Sequence, residues 1–151
     1  MGTCSSALVA GTNLIWGPSM TITMSQNGVL SPEGICRTFD KNADGYGRGE
    51  AINAVYIKPL HAAIRDGNRI RAVIRATGTN FDGRTPNITS PCPDSQEALI
   101  RNTYKRAGIE VIEQTALFEC HGTATVVGDT VEASVVAKIF GGHGTWIGAV
   151  C

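Results

Sequence analysis

The sequence lacks net charge and lacks any long hydrophobic run. Thirteen Lys and Arg residues balance thirteen Asp and Glu residues over 151 positions. No stretch concentrates the basic ones, which excludes nucleic acid or an anionic membrane surface as the main partner. Gly, Thr or a charge interrupts every apolar run, so nothing is long enough to span a bilayer. The basic, apolar and small-residue opening of a secretory leader is missing. A disulfide framework is missing too, because five cysteines at irregular spacing read as free thiols in a reducing compartment. A cytoplasmic protein is therefore expected. No internal repeat or low-complexity tract occurs.

What the chain does have is glycine, 18 residues of it, placed where short apolar runs end. That placement predicts tight turns between strands and helices. Ala7–Gly11 reads as a buried strand, followed by a polar loop with a short helical turn through Met24 and Leu30. Residues Phe39 to Glu50 form a loop rich in Asp and Gly. Ala51–Ile57 reads as a strand, and Pro59 opens a helix that runs to Asp66-Gly67. Alternation over Ile70–Thr79 predicts a long strand. Asp94 or Ser95 can cap a helix presenting Ala98, Leu99, Tyr104 and Ala107, which Gly108 closes. Ala116–Phe118 is a strand ending near Cys120-His121, Asp129–Phe140 a helix stopped by Gly141-Gly142, and Thr145–Val150 a last strand. Strands alternating with helices indicate a layered α/β fold.

Phe118-Glu119-Cys120-His121-Gly122-Thr123-Ala124-Thr125, followed by Gly128-Asp129-Thr130-Val131-Glu132, is the segment richest in chemistry. It places His121 at the carboxyl end of a buried strand, the edge where open α/β sheets bind ligands. Thr123 and Thr125 add two hydroxyls beside the imidazole. A neutral histidine there can donate a hydrogen bond to a developing enolate or oxyanion. The same geometry also fits a satisfied histidine at a strand end with no further role. Asp129-x-x-Glu132 reads as a variant capping box, with Asp129 satisfying amides at the start of the helix.

These residues carry a resemblance. His-Gly-Thr-Ala-Thr followed by Gly-Asp-x-x-Glu-Ala resembles the histidine motif of β-ketoacyl synthases, usually written with Gly or Ser between the threonines. The likeness is collinear and covers nearly the whole chain. It includes Val9–Ile15, Leu30–Gly34, Arg37–Asp40, Ala43–Glu50, Asn80–Thr85 and Gln96–Ile100. Its texture is most similar to a fungal iterative, reducing polyketide synthase, with a fatty-acid synthase segment as the related alternative.

The resemblance implies a partial thiolase-like α/β fold, layered α-β-α-β-α and truncated at both ends. It implies two halves, residues 1–60 from the end of the N-terminal half and 61–151 from the start of the C-terminal half. It implies decarboxylative Claisen condensation of acyl and malonyl thioesters by a Cys-His-His set. His121 would be the first histidine. Thr123 and Thr125 would hold the phosphopantetheine arm of an acyl carrier protein. Asp129 and Glu132 would be structural support, Glu132 pairing with a lysine further along the family sequence. The implied partners are the acyl carrier protein, the other synthase domains and a second copy in a homodimer, with no bound cofactor.

Cys4-Ser5-Ser6 imitates the family's nucleophile context but is almost adjacent to the strand at Ala7. In the family a complete helix intervenes, and such a crossover needs about a dozen residues. Cys4 also has no helix to cap. The nucleophile is thus expected outside these residues. So is the second histidine, because Cys151 stands where the family has lysine and His143 lies in the preceding loop. Groups that act as a unit lose almost everything when members are missing, so the chain alone is expected to be inactive, a fragment or a non-catalytic relic. Asp40–Gly45 imitates a calcium-binding loop, but Ala51 occupies the twelfth position where Glu is required. Cys36, Cys92 and Cys120 lack the paired spacing of structural zinc, so no metal is expected. Asn87-Ile88-Thr89 fits the glycosylation pattern, which requires secretion.

Overall fold

The computed structural model describes residues 4–86, 90–142 and 144–149. They fall into two units, one of residues 1–18 with 49–75, the other of residues 19–48 with 76–151.

In the first unit, strand β1 (Ala7–Asn13) pairs antiparallel with β2 (Ala51–Ile57), Ala10 opposite Ala54 and Asn13 opposite Ala51. Asn13 donates a side-chain hydrogen bond to the Gly49 carbonyl at 2.6 Å, and the Ile15 amide donates to Glu50 at 2.5 Å. Pro59 then precedes a short helix, α2 (Leu60–Arg65), at the expected place. The ammonium of Lys58 ties its far end, reaching Asp66 at 2.5 Å and Asn68 at 2.8 Å.

The strand expected to be buried is not. Leu8 is 73% exposed, and Ile52 of its partner strand 76%, as a two-stranded ribbon leaves much of its apolar surface to solvent. The long strand expected over Ile70–Thr79 does not form either. Alternation assigns side chains to faces, but a strand exists only through a ladder of hydrogen bonds. No described segment pairs with 70–79 in that way.

All of α1 (Pro18–Gln26) but its first residue belongs to the second unit, and the helix is longer than the single turn expected. The loop after it doubles back. The Ser31 amide donates to the Tyr46 carbonyl at 3.0 Å and the Tyr46 amide to the Val29 carbonyl at 3.2 Å. Gly45 makes that crossing possible, since a Cβ there would lie 2.6 Å from the Val29 carbonyl oxygen and its φ is +120°.

Helix α3 (Pro93–Arg106) starts earlier than the sequence suggested. Cys92, not Asp94 or Ser95, is its N-cap residue, and Pro93 takes the first helical position, where its missing N–H costs nothing. Residues 76–82 lie along α3. Gly78 faces Leu99 and Thr103, Asn80 donates to the Ser95 carbonyl at 2.6 Å, and the Cys92 amide donates to Asp82 at 3.0 Å.

After a 3-10 turn (Ile112–Gln114), β3 (Leu117–Cys120) pairs parallel with β4 (Trp146–Ala149), Cys120 opposite Ala149. Between them runs α4 (Val126–Phe140), which stops at Gly141 as its sequence requires. Strand β3 is not wholly buried as expected, for Leu117 is 58% exposed and only Cys120 is enclosed. Cys120, Val135, Val136, Ile139 and Phe140 form the core, with Phe39, Ile100, Tyr104, Ile112, Phe118 and Ala149 packed against it. Phe140 stacks obliquely on Phe118 and Tyr104, ring centroids 5.1 and 5.9 Å away. Lys138 bridges α4 to Glu97 of α3 at 2.5 Å.

Among the described residues no helix is long and apolar enough to cross a membrane. His143, Val150, Cys151 and the Asn87-Ile88-Thr89 triplet, all discussed above, lie outside the described residues.

Apolar strand faces as exposed as those of β1 and β2 drive association. The 151-residue chain on its own is expected to self-associate in light scattering at micromolar concentration, and Leu8→Lys with Ile52→Lys to reduce that association. A monodisperse, cooperatively unfolding monomer would contradict this.

Candidate functional site

Helix α4 explains why two carboxylates meet the end of β3. Asp129, Glu132, Val136 and Ile139 recur at spacings of three, four and three, so they share one face. The last two turns of that face bury their apolar side chains against the sheet. Its first two turns therefore carry the carboxylates to the level where β3 stops.

Glu132 uses both oxygens there. The His121 amide donates to Oε1 at 2.7 Å and the Gly122 amide to Oε2 at 2.9 Å. Hydrogen bonds to an ionised acceptor contribute about 1.5–3 kcal/mol each. Asp129 is 6% exposed and accepts the Phe39 amide on Oδ2 at 2.7 Å. The sequence reading of Asp129 as a cap is thus overturned. The N-cap residue is Thr125, whose carbonyl accepts the Asp129 amide at 2.9 Å, so Asp129 already lies inside the first turn. Thr125 makes no side-chain cap because its hydroxyl is engaged with that of Thr123, 3.1 Å away. A carboxylate in the first turn also meets the positive end of the helix dipole.

His121 lies one residue beyond β3, with its side chain exposed. Thr123 and Thr125 are half-buried beside it in sequence, and their hydroxyls face each other. Each keeps hydrogen-bonding capacity for a third group. Glu132 meets two backbone amides, while the position matched to its expected lysine partner is Cys151, outside the described residues.

Sequence reasoning missed the loop that holds this turn from the other side. Thr38 Oγ1 donates to the Gly122 carbonyl at 2.6 Å, Phe39 donates to Asp129, and the Gly45 amide donates to the Ala124 carbonyl at 2.8 Å. Arg37–Asp40 and Ala43–Glu50 stood out as motif text, but their contacts with residues 122–129 join positions far apart in the chain, 84 for Thr38 and 90 for Phe39, and leave no local pattern. Backbone conformations are unusual on both sides of the contact. Phe39 has φ +59°, Gly122 +53° and Ala124 +54°.

Cysteine placement narrows the chemistry. Cys4 is exposed three residues before β1, and no helix begins at it. Cys120 adjoins His121 in sequence but is buried in the core. Burial, followed by the nearby carboxylates Glu132, Glu119 and Asp129, pushes its thiol up to about 11. It is not a nucleophile at neutral pH. A groove of about 300 Å³ opens beside Phe39, Lys41, Val126 and Asp129, without His121 in its lining. Asp40 accepts the Asn42 amide at 2.7 Å, a turn-forming use of that carboxylate. Among the described residues, no three His, Cys, Asp or Glu side chains are grouped to hold a metal.

Two family descriptions match most of this chain: β-ketoacyl synthase, N-terminal domain, over residues 1–63, and β-ketoacyl synthase, C-terminal domain, over residues 71–150. The chain belongs to the β-ketoacyl synthase family. The highly reducing polyketide synthase VdtX of Byssochlamys spectabilis is 60% identical over 99% of this chain. The highly reducing polyketide synthase sphB of Aspergillus fumigatus is 54% identical over 99% of it. This chain spans only 7% and 6% of those proteins. The resemblance to fungal reducing synthases read from the motifs is borne out.

Among solved structures, the oxazolomycin ketosynthase domain OzmH KS7 of Streptomyces albus superposes with a TM-score of 0.91 at 35% identity. It is covered over 26% of its length by 99% of this chain. The ketosynthase from module 6 of the bacillaene synthase of Bacillus subtilis gives 0.88 at 34% identity, with 27% of that chain and 97% of this one covered. The fold of this β-ketoacyl synthase segment is accordingly a partial thiolase-like α/β fold.

Two outcomes follow for its site. Gly128→Ala places a Cβ 2.4 Å from Thr125 Oγ1 and 3.5 Å from Thr123 Oγ1. It should break the Thr123–Thr125 hydroxyl pair and lower the unfolding temperature, read by differential scanning fluorimetry. Cys120 should resist iodoacetamide at pH 8 while Cys4 is labelled, read by peptide mass spectrometry. The sign follows from the raised pKa: the folded thiol stays neutral below about 11, against an ordinary 9.0. Its contribution to stability is therefore complete below pH 9 and lost as pH rises through the folded value.

Proposed function

We propose that this chain is part of a ketosynthase that extends a polyketide by decarboxylative Claisen condensation, with His121 stabilising the negative charge that forms when carbon dioxide leaves. The observation that carries this reading is the turn at the end of β3. An exposed imidazole is attached to a peptide whose two amides are held by one carboxylate. An exposed side chain has no packing to aim it, so a fixed backbone is what a preorganised hydrogen-bond donor requires.

The substrate is a malonyl thioester on the phosphopantetheine arm of an acyl carrier protein. Thr123 and Thr125 offer the arm two hydroxyls at the same sheet edge. Breaking the bond between the carboxylate and the α-carbon releases carbon dioxide and leaves its electron pair delocalised onto the thioester oxygen. The imidazole N–H of His121 donates to that oxygen. The α-carbon then attacks the acyl group held as a thioester on the nucleophilic cysteine, and the cysteine thiolate leaves. Cys4 caps no helix and Cys120 is buried, and this reading places the nucleophile in the larger synthase. Polyketide rather than fatty-acid chemistry is favoured by the names of the fungal relatives.

The halves of the ketosynthase divide at residues 60 and 61, a reading supported by the family matches ending at 63 and resuming at 71. The remaining synthase domains, the acyl carrier protein and a second copy of the ketosynthase are its partners, in the cytoplasm.

His121→Ala in the intact synthase should lower malonyl-thioester decarboxylation by about 10²–10³-fold, measured as released carbon dioxide. Acylation of the nucleophilic cysteine, measured by intact-protein mass, should persist. Decarboxylation at the unaltered rate would refute the role given to His121.

A further inference from the structure

We infer that Thr38 is a positioning residue for His121, acting through the peptide that joins Gly122 to Thr123; this rests on the reading of His121 given above.

The imidazole of His121 is exposed, so its aim is set by its backbone. One side of the turn is fixed by Glu132 through the amides of His121 and Gly122. Those bonds hold the amide side of the turn, and its carbonyl side is held separately. Thr38 Oγ1 holds it, donating to the Gly122 carbonyl at 2.6 Å from 84 positions earlier in the chain. Its methyl group packs on the same residue, for a Cβ built on Gly122 would lie 2.7 Å from Thr38 Cγ2. The hydrogen bond does the holding, and the methyl only adds a contact, at a residue with φ +53°.

Thr38 is itself locked. The next amide, Phe39, donates to the buried Asp129 carboxylate, and Gly45 of the same loop donates to the Ala124 carbonyl. Glu132 and Asp129 both stand on α4, so helix and loop grip the His121–Thr125 segment from opposite sides. The requirement at position 38 is for a hydroxyl on a short side chain, which serine can also supply and valine cannot.

The test uses the intact synthase carrying Thr38→Val, Thr38→Ser and His121→Ala. With T38V, kcat for decarboxylation should fall by about tenfold to a hundredfold, the cost of a misplacement near 1 Å. KM for the malonyl thioester and the rate of cysteine acylation should be unchanged, and T38S should restore kcat. Thr38→Ala, which removes the hydroxyl without adding bulk, replaces T38V should the valine variant not fold. Unchanged decarboxylation in the hydroxyl-free variant beside a defective H121A would overturn the positioning role alone. Equal losses of acylation and decarboxylation, or no rescue by serine, would also overturn it, since they mark general structural damage. Unchanged decarboxylation in H121A would instead remove the reading on which the role rests.

Discussion

A single carboxylate accepting two consecutive amides organises the chemistry-bearing end of this chain. Glu132 faces the His121 and Gly122 N–H groups with one oxygen each, an arrangement that fixes the plane of the peptide between them. A strand end normally leaves such donors to water or to the next strand. Here a helix side chain takes them, so the strand can stop abruptly and release its next side chain to solvent without orphaning its backbone.

The remaining architecture serves to place that carboxylate. Helix α4 must be long enough to bury Val135, Val136, Ile139 and Phe140 against β3, and its phase then dictates where Asp129 and Glu132 point. The loop from Arg37 to Gly45 contributes from a distance, exchanging a hydroxyl and two amides with residues 122, 124 and 129. Local strain accompanies the arrangement. Two residues other than glycine, Phe39 and Ala124, take up left-handed backbone at the contact, each at a cost of about 1–2 kcal/mol. Such conformations persist where surrounding bonds over-determine them.

How much of this was legible in the sequence depended on the range of the interaction involved. Helix α4 and strand β2 were plain because glycine punctuation and apolar spacing are local. The motif around His121 was plain because its residues are contiguous. Asp129 was misread because Asp-x-x-Glu is a strong capping signal, and nothing local reveals that Thr125 sits four residues ahead as the true N-cap with its hydroxyl engaged elsewhere. The strand over Ile70–Thr79 was misread because alternation encodes faces, whereas the ladder depends on a partner. Thr38 was invisible as a contact for the same reason, its partner lying 84 residues away.

Ala124 shows how narrowly a position can be specified. It has no solvent exposure, a φ of +54°, and a carbonyl already committed to Gly45. Glycine would relieve the torsion, while a bulky side chain would have to displace the walls. Compactness at this one position is therefore a condition of the whole turn, since the enclosed volume and the left-handed torsion both favour a very small side chain.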